Sequence, residues 1–187
     1  MRISTLVLLA FALRKVRDAR QSRLNVAALV QSRRLVPGED RSYRWFVITH
    51  LAFFTLTPLE IAVLEPRFHP VLGASMGIVF LAATLLRRWA IAHLDRNWSS
   101  QVAVADDMEP ATEGPYRYIR HPNYLAMSLE LAALGLMFSA FFSTLVVGVL
   151  NAFSVVARIR EEESALFQVP AYRAAMQSRA RLIPGVY

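Results

Sequence analysis

Between Tyr124 and Ala157 the chain reads "YLAMSLELAALGLMFSAFFSTLVVGVLNAFSVVA", 34 residues carrying a single charge, Glu130. A bilayer core about 30 Å thick needs about 20 apolar helical residues, so this run suits two helices folded back on each other. Two shorter runs lie upstream. "WFVITHLAFFTLTPLEIAVL" (Trp45 to Leu64) holds only His50 and Glu60 as ionisable groups, and "VLGASMGIVFLAATLL" (Val71 to Leu86) holds none. Each suits one span. The opening "MRISTLVLLAFALRKVR" places its basic cluster after the apolar stretch and lacks a small-residue cleavage site. It reads as a short first span, or as a helix whose basic end continues along the membrane surface, rather than a signal peptide. The expectation is an all-α integral membrane protein of about five transmembrane helices, one domain over residues 1–187.

The formal net charge is +7, yet the basic residues flank the apolar runs instead of forming a tract with interleaved aromatics. Arg14 to Arg44, the residues after Leu86 and the tail after Ala157 are the basic regions, which the positive-inside rule assigns to the cytoplasm. Nucleic acid is not an expected partner. Cysteine is absent, which excludes disulfides and thiolate chemistry. The four histidines lack ligand spacing, so no metal site is expected. No phosphate loop or GxGxxG follows a strand pattern, which argues against a Rossmann cofactor domain.

The first basic connection begins as an amphipathic helix and ends at the turn signal "VPGED" (Val36 to Asp40). The second, about Ala92 to His121, contains "EPATEGPY", a loop composition. In the third, "RIREEESALF" continues the last span as a helix until Pro170, after which a final short helix is expected.

Polar chemistry crowds two places. In "GPYRYIRHPNY", Pro122 suits the first position of a helix. The amides of Asn123, Tyr124 and Leu125 would then point back towards Arg120 and His121. Free amides at a positive helix end beside an arginine make an anion site. An ordinary interfacial belt of Tyr116, Tyr118 and Tyr124 with Arg117 and Arg120 on lipid phosphates accounts for the same composition. In "REEESAL" (Arg160 to Leu166), Glu162 falls one helical turn after Arg158, which an i,i+4 ion pair would explain. Glu163 has no such partner. Carboxylates beside the anion site would suit a zwitterion. Within the spans, Glu130 lies about two turns from Pro122. Glu60, near the end of its run, is expected to snorkel, and His50 to donate an interhelical hydrogen bond.

"RYIRHPNY" followed by "RIREEESAL" and a closing "RLIPG" resembles the isoprenylcysteine carboxyl methyltransferase family, in a bacterial membrane branch. The resemblance implies a cytoplasmic-face, non-Rossmann pocket for S-adenosyl-L-methionine in about residues 87–187. It also implies methyl transfer to a carboxylate, phenol or enol oxygen of a lipid-like acceptor, such as a prenylcysteine or alkylpyrone. Arg120, His121, Pro122 and Tyr124 match its first motif, and Glu162 and Glu163 its paired glutamates. Ala126 stands where many relatives have glycine. Carried over in this way, the glutamates would take the cofactor's ammonium or ribose, and His121 with the amides after Pro122 its carboxylate. Tyr116, Tyr118 and Tyr124 would pack against it, Arg120 and Arg158 would orient the acceptor, and Glu130 or His121 would serve as base. The acceptor would enter from the membrane lipids of a bacterial inner membrane. Phospholipid amine methylation and a small non-enzymatic transporter are the alternatives.

Overall fold

The computed structural model describes residues 3–32, 35 and 40–184, and among them every regular element is helical. The helices are α1 (Ile3–Ser32), α2 (Tyr43–Val63), α3 (Pro70–Leu94), α4 (Pro122–Met137), α5 (Phe141–Leu166) and α6 (Pro170–Met176). Three are long and apolar enough to cross a membrane: α2, α3 with its following turn to Asn97, and α5. Their outward faces are apolar (Ile78, Leu81, Leu145 and Phe153 are all more than half exposed), as lipid contact requires. The chain is an integral membrane protein. The other two expected spans differ in kind. At sixteen residues α4 is about 24 Å long, short of the hydrocarbon thickness. In α1 the apolar stretch and the basic amphipathic stretch are one unbroken helix. The expected turn at Val36 to Glu39 lies outside the described residues.

The long apolar run does fold back on itself. Phe138 to Ala140 make the turn, with Ser139 at φ 58° and the Gly135 carbonyl accepting from the amides of Phe138 and Ala140. Gly135 lets the arms meet: a Cβ there would fall 2.2 Å from Thr144 Oγ1. Helix α2 packs beside α5, and α3 beside α4. Phe11, Phe53, Leu131, Leu134 and Val147 fill the centre between α1, α2, α4 and α5. As expected, α5 carries the acidic triplet and ends before Pro170, which opens α6.

The ionisable groups of the spans take other partners than the sequence implied. Glu60 does not snorkel. Its carboxylate accepts the amides of Phe142 (3.1 Å) and Ser143 (2.6 Å), capping α5 where its first N–H groups lack helical partners. His50 donates to the Phe46 carbonyl of its own helix (2.8 Å) rather than across helices, because a carbonyl four residues back is always in reach. Glu130 is fully buried and held by Arg14 (2.5 Å), Lys15 (3.1 Å) and Thr84 (3.1 Å).

Candidate functional site

At one end of the bundle the segment into α4 is shaped first by Gly114, whose φ of +58° opens a 3₁₀ turn to Arg117. The chain then runs extended beside the tail. Arg120 N–H donates to the Ala180 carbonyl (2.9 Å) and His121 N–H to that of Arg181 (3.0 Å). Arg179 fastens the other side, donating to the carbonyls of Thr112 and Tyr116. Pro122 takes the first helical position. The Leu125 amide is not free as expected: it donates to the His121 carbonyl (3.2 Å), closing the first turn. The amides of Asn123 and Tyr124 keep no partner among the described residues.

Three consecutive glutamates on a helix point about 100° apart, and here each has its own surroundings. Glu161 accepts the amide (2.9 Å) and hydroxyl (2.5 Å) of Ser42, at the start of α2. Glu163 binds inward. Its Oε1 accepts His121 Nε2 (3.1 Å) and lies 3.2 Å from Arg120 Nη1, while Oε2 accepts Arg181 Nε (2.9 Å). One carboxylate thus ties together the segment before α4, the end of α5 and the tail. Glu162 lies between these two. The ion pair expected with Arg158 does not form, because Arg158 turns elsewhere. Fully buried, it donates to Asp40 (3.0 Å), the Ser100 carbonyl (2.6 Å) and the Tyr124 hydroxyl (3.3 Å), among the rings of Tyr43, Phe46 and Tyr124.

These segments enclose a cavity of about 320 Å³, within the range of small-molecule sites. The end of α3, the 97–111 loop, the start of α4, Glu162, Leu166 and α6 line it. Of the residues singled out from sequence, Tyr116, Arg120, His121, Tyr124 and Glu162 face it. Glu163 stands behind His121 and Arg120, Arg158 behind Tyr124, and Pro122 is buried in the first turn of α4. Tyr118 is 60% exposed and is not part of the lining. Glu130, a candidate base, belongs to the separate cluster with Arg14 and Lys15.

Four lining residues carry a buried polar atom with no hydrogen-bond partner among the described residues. Trp98 Nε1 and Arg120 Nε are donors; Asn123 Oδ1 and Glu162 Oε2 are acceptors. Buried polar groups are rarely left so, and four around one cavity mark a polar binding site. Trp98 and Tyr172 carried no role in the sequence, because a loop tryptophan and one α6 tyrosine have no periodicity to flag them, and Asn123 was expected to act through its backbone amide and not its side chain. Burial, and after it the Glu162 carboxylate, pushes the phenols of Tyr116 and Tyr172 well above their ordinary value, so both stay protonated.

A family model described as the isoprenylcysteine carboxyl methyltransferase (ICMT) family matches residues 75–168, half of the chain. The match contains α4, α5 and the glutamate triplet. Among curated proteins, Bacillus subtilis YpbQ is 27% identical over 129 residues, covering 69% of this chain and 76% of that protein. A Haemophilus influenzae protein is 27% identical over 120 residues, 64% of this chain and 69% of that protein. Both are described as uncharacterized.

Proposed function

The chain belongs to the isoprenylcysteine carboxyl methyltransferase family and is by that membership a membrane methyltransferase, and we propose that it uses S-adenosyl-L-methionine to methylate an oxygen of a lipid-like acceptor. The observation that carries this reading is the set of unpartnered atoms around the cavity. Two donors and two acceptors call for a ligand offering both, and the amino-acid end of S-adenosyl-L-methionine has an ammonium and a carboxylate. When bound, it supplies a methyl group already activated by a sulfonium.

Glu162 takes the ammonium, since its free Oε2 is a carboxylate oxygen and charge-assisted bonds are the strong ones. Arg120 Nε and the open amides of Asn123 and Tyr124 take the carboxylate, where the positive end of α4 adds to the attraction. Tyr116 and Tyr172, neutral and buried, wall the cavity and exclude water. Arg158 holds the Tyr124 hydroxyl and so fixes that ring. Alignment of the reacting atoms is the enzyme's main contribution, and the three-way grip of Glu163 keeps Arg120 and His121 in one place. Every lining residue lies between His93 and Met176, in keeping with a cofactor-binding half within one domain. The basic flanks around this end favour a site facing the cytoplasm of a bacterial inner membrane. The acceptor reaches it from the bilayer.

Membranes holding the protein should transfer labelled methyl from S-adenosyl-L-methionine into solvent-extractable lipid. Glu162→Gln should abolish the transfer while the protein still inserts. Full activity in that variant would sink the assignment.

A further inference from the structure

Away from the cavity, two arginines cross the seam between α1 and α3 in opposite directions. Arg14 of α1 donates to the Thr84 hydroxyl of α3 (3.1 Å) and to Glu130 of α4, while Arg87 of α3 donates to Asp18 of α1. Each keeps a buried Nε–H without a partner among the described residues. A guanidinium nitrogen only donates, and buried donors are rarely left open, so the pair calls for an acceptor from elsewhere. The nearby carboxylates are already engaged. Glu130 is shared between Arg14 and Lys15, and Asp18 is held by Arg87. Neither α1 nor α3 carries another acidic residue.

We propose that this seam binds the phosphate of an anionic membrane phospholipid. The uncharged run of α1 ends at Leu13 and that of α3 at Leu86, so Arg14 and Arg87 stand where apolar helix gives way to charge, the level of lipid headgroups. About one turn further on, Arg17 follows Arg14 and Arg88 follows Thr84. Both are exposed and have no partner among the described residues. Leu13 and Val16 on α1, with Leu85 and Trp89 on α3, are exposed beside them, so the seam opens towards lipid and acyl chains can lie along these side chains. Two Nε–H donors suit the charged oxygens of a phosphodiester, and Arg17 and Arg88 add the attraction that basic clusters exert on anionic lipids. A zwitterionic headgroup fits worse, because its cation would lie among arginines whose nearby carboxylates are taken. None of the residues lining the cofactor cavity belongs to this seam, so the proposal stands whether or not the chain methylates.

The test titrates the delipidated, detergent-purified protein with phosphatidylglycerol, phosphatidylcholine or inorganic phosphate and reads the melting temperature. Phosphatidylglycerol should raise it saturably and the other two should not match it. Arg17→Gln and Arg88→Gln change exposed side chains that make no contact within the fold, so both variants should fold. Each should weaken the apparent affinity for phosphatidylglycerol about 5-fold, and the two together about 30-fold. Arg23→Gln removes the same charge from an exposed position about half a turn around α1 from Arg14, and should leave that affinity unchanged. Equal protection by phosphatidylcholine, or by inorganic phosphate, overturns the proposal. So does an equal loss in Arg23→Gln, which would mean that surface charge alone attracts the lipid.

Discussion

Gly114→Ala tests how the segment leading into α4 is held. At φ +58° an alanine meets its own carbonyl, which costs about 1–2 kcal/mol. Its Cβ would also lie 2.5, 2.6 and 2.8 Å from Nε2, Cε1 and Cδ2 of His93. That ring is exposed and fixed by one bond, Nδ1 donating to the Trp89 carbonyl at 2.9 Å, so it can swing aside. Losing the bond costs about 1 kcal/mol. The whole effect is then about 2–3 kcal/mol, and a chain of this size should melt roughly 5–10 °C lower in detergent. In a His93→Ala background the steric part is gone and only the backbone part, about 1–2 kcal/mol, remains. Melting of the four proteins of the cycle checks this, with the ligand affinity of each as a second readout. Equal costs of Gly114→Ala in both backgrounds would refute the steric reasoning, and no cost in either would refute the backbone reasoning.

Two further outcomes follow from partners already described. Glu60→Gln removes the charge that caps α5 and should destabilise the protein by about 1–2 kcal/mol, read as a lower melting temperature in detergent. The raised phenols of Tyr116 and Tyr172 contribute stability that is fully present below the unfolded tyrosine value of about 10. As pH rises past that value, the unfolded chain releases protons that the fold retains, so stability falls. Tyr116→Phe should flatten this alkaline loss in denaturation curves measured from pH 8 to 11, and an unchanged slope would contradict it.

Apolar length and proline position made much of the architecture legible. The Tyr124 to Ala157 run could bury itself only as two arms, and it forms α4 and α5. Pro122 and Pro170 each open a helix because neither can continue one. The "RHPNY" and glutamate segments do meet, through His121 and Glu163. What sequence could not give was partners distant along the chain. Glu60 finds amides 82 and 83 residues away, and Arg158 finds Asp40 at a separation of 118. The nearer pair, Arg158 with Glu162, looked sufficient and loses to a better-enclosed one. Spacing likewise brought Glu130 near the site, whereas Arg14 and Lys15 of α1, 116 and 115 residues away, claim it. The Trp98 indole and the Asn123 side-chain oxygen become visible only as buried atoms lacking partners around a cavity.

The central claim is that this cavity holds S-adenosyl-L-methionine through Glu162, and calorimetric titration of the detergent-purified protein tests it most directly. The wild type should bind saturably at one site. Glu162→Gln, losing a charge-assisted bond of about 1.5–3 kcal/mol, should bind roughly 10- to 150-fold more weakly. A folded wild type that does not bind, or a variant that binds equally well, would contradict the account.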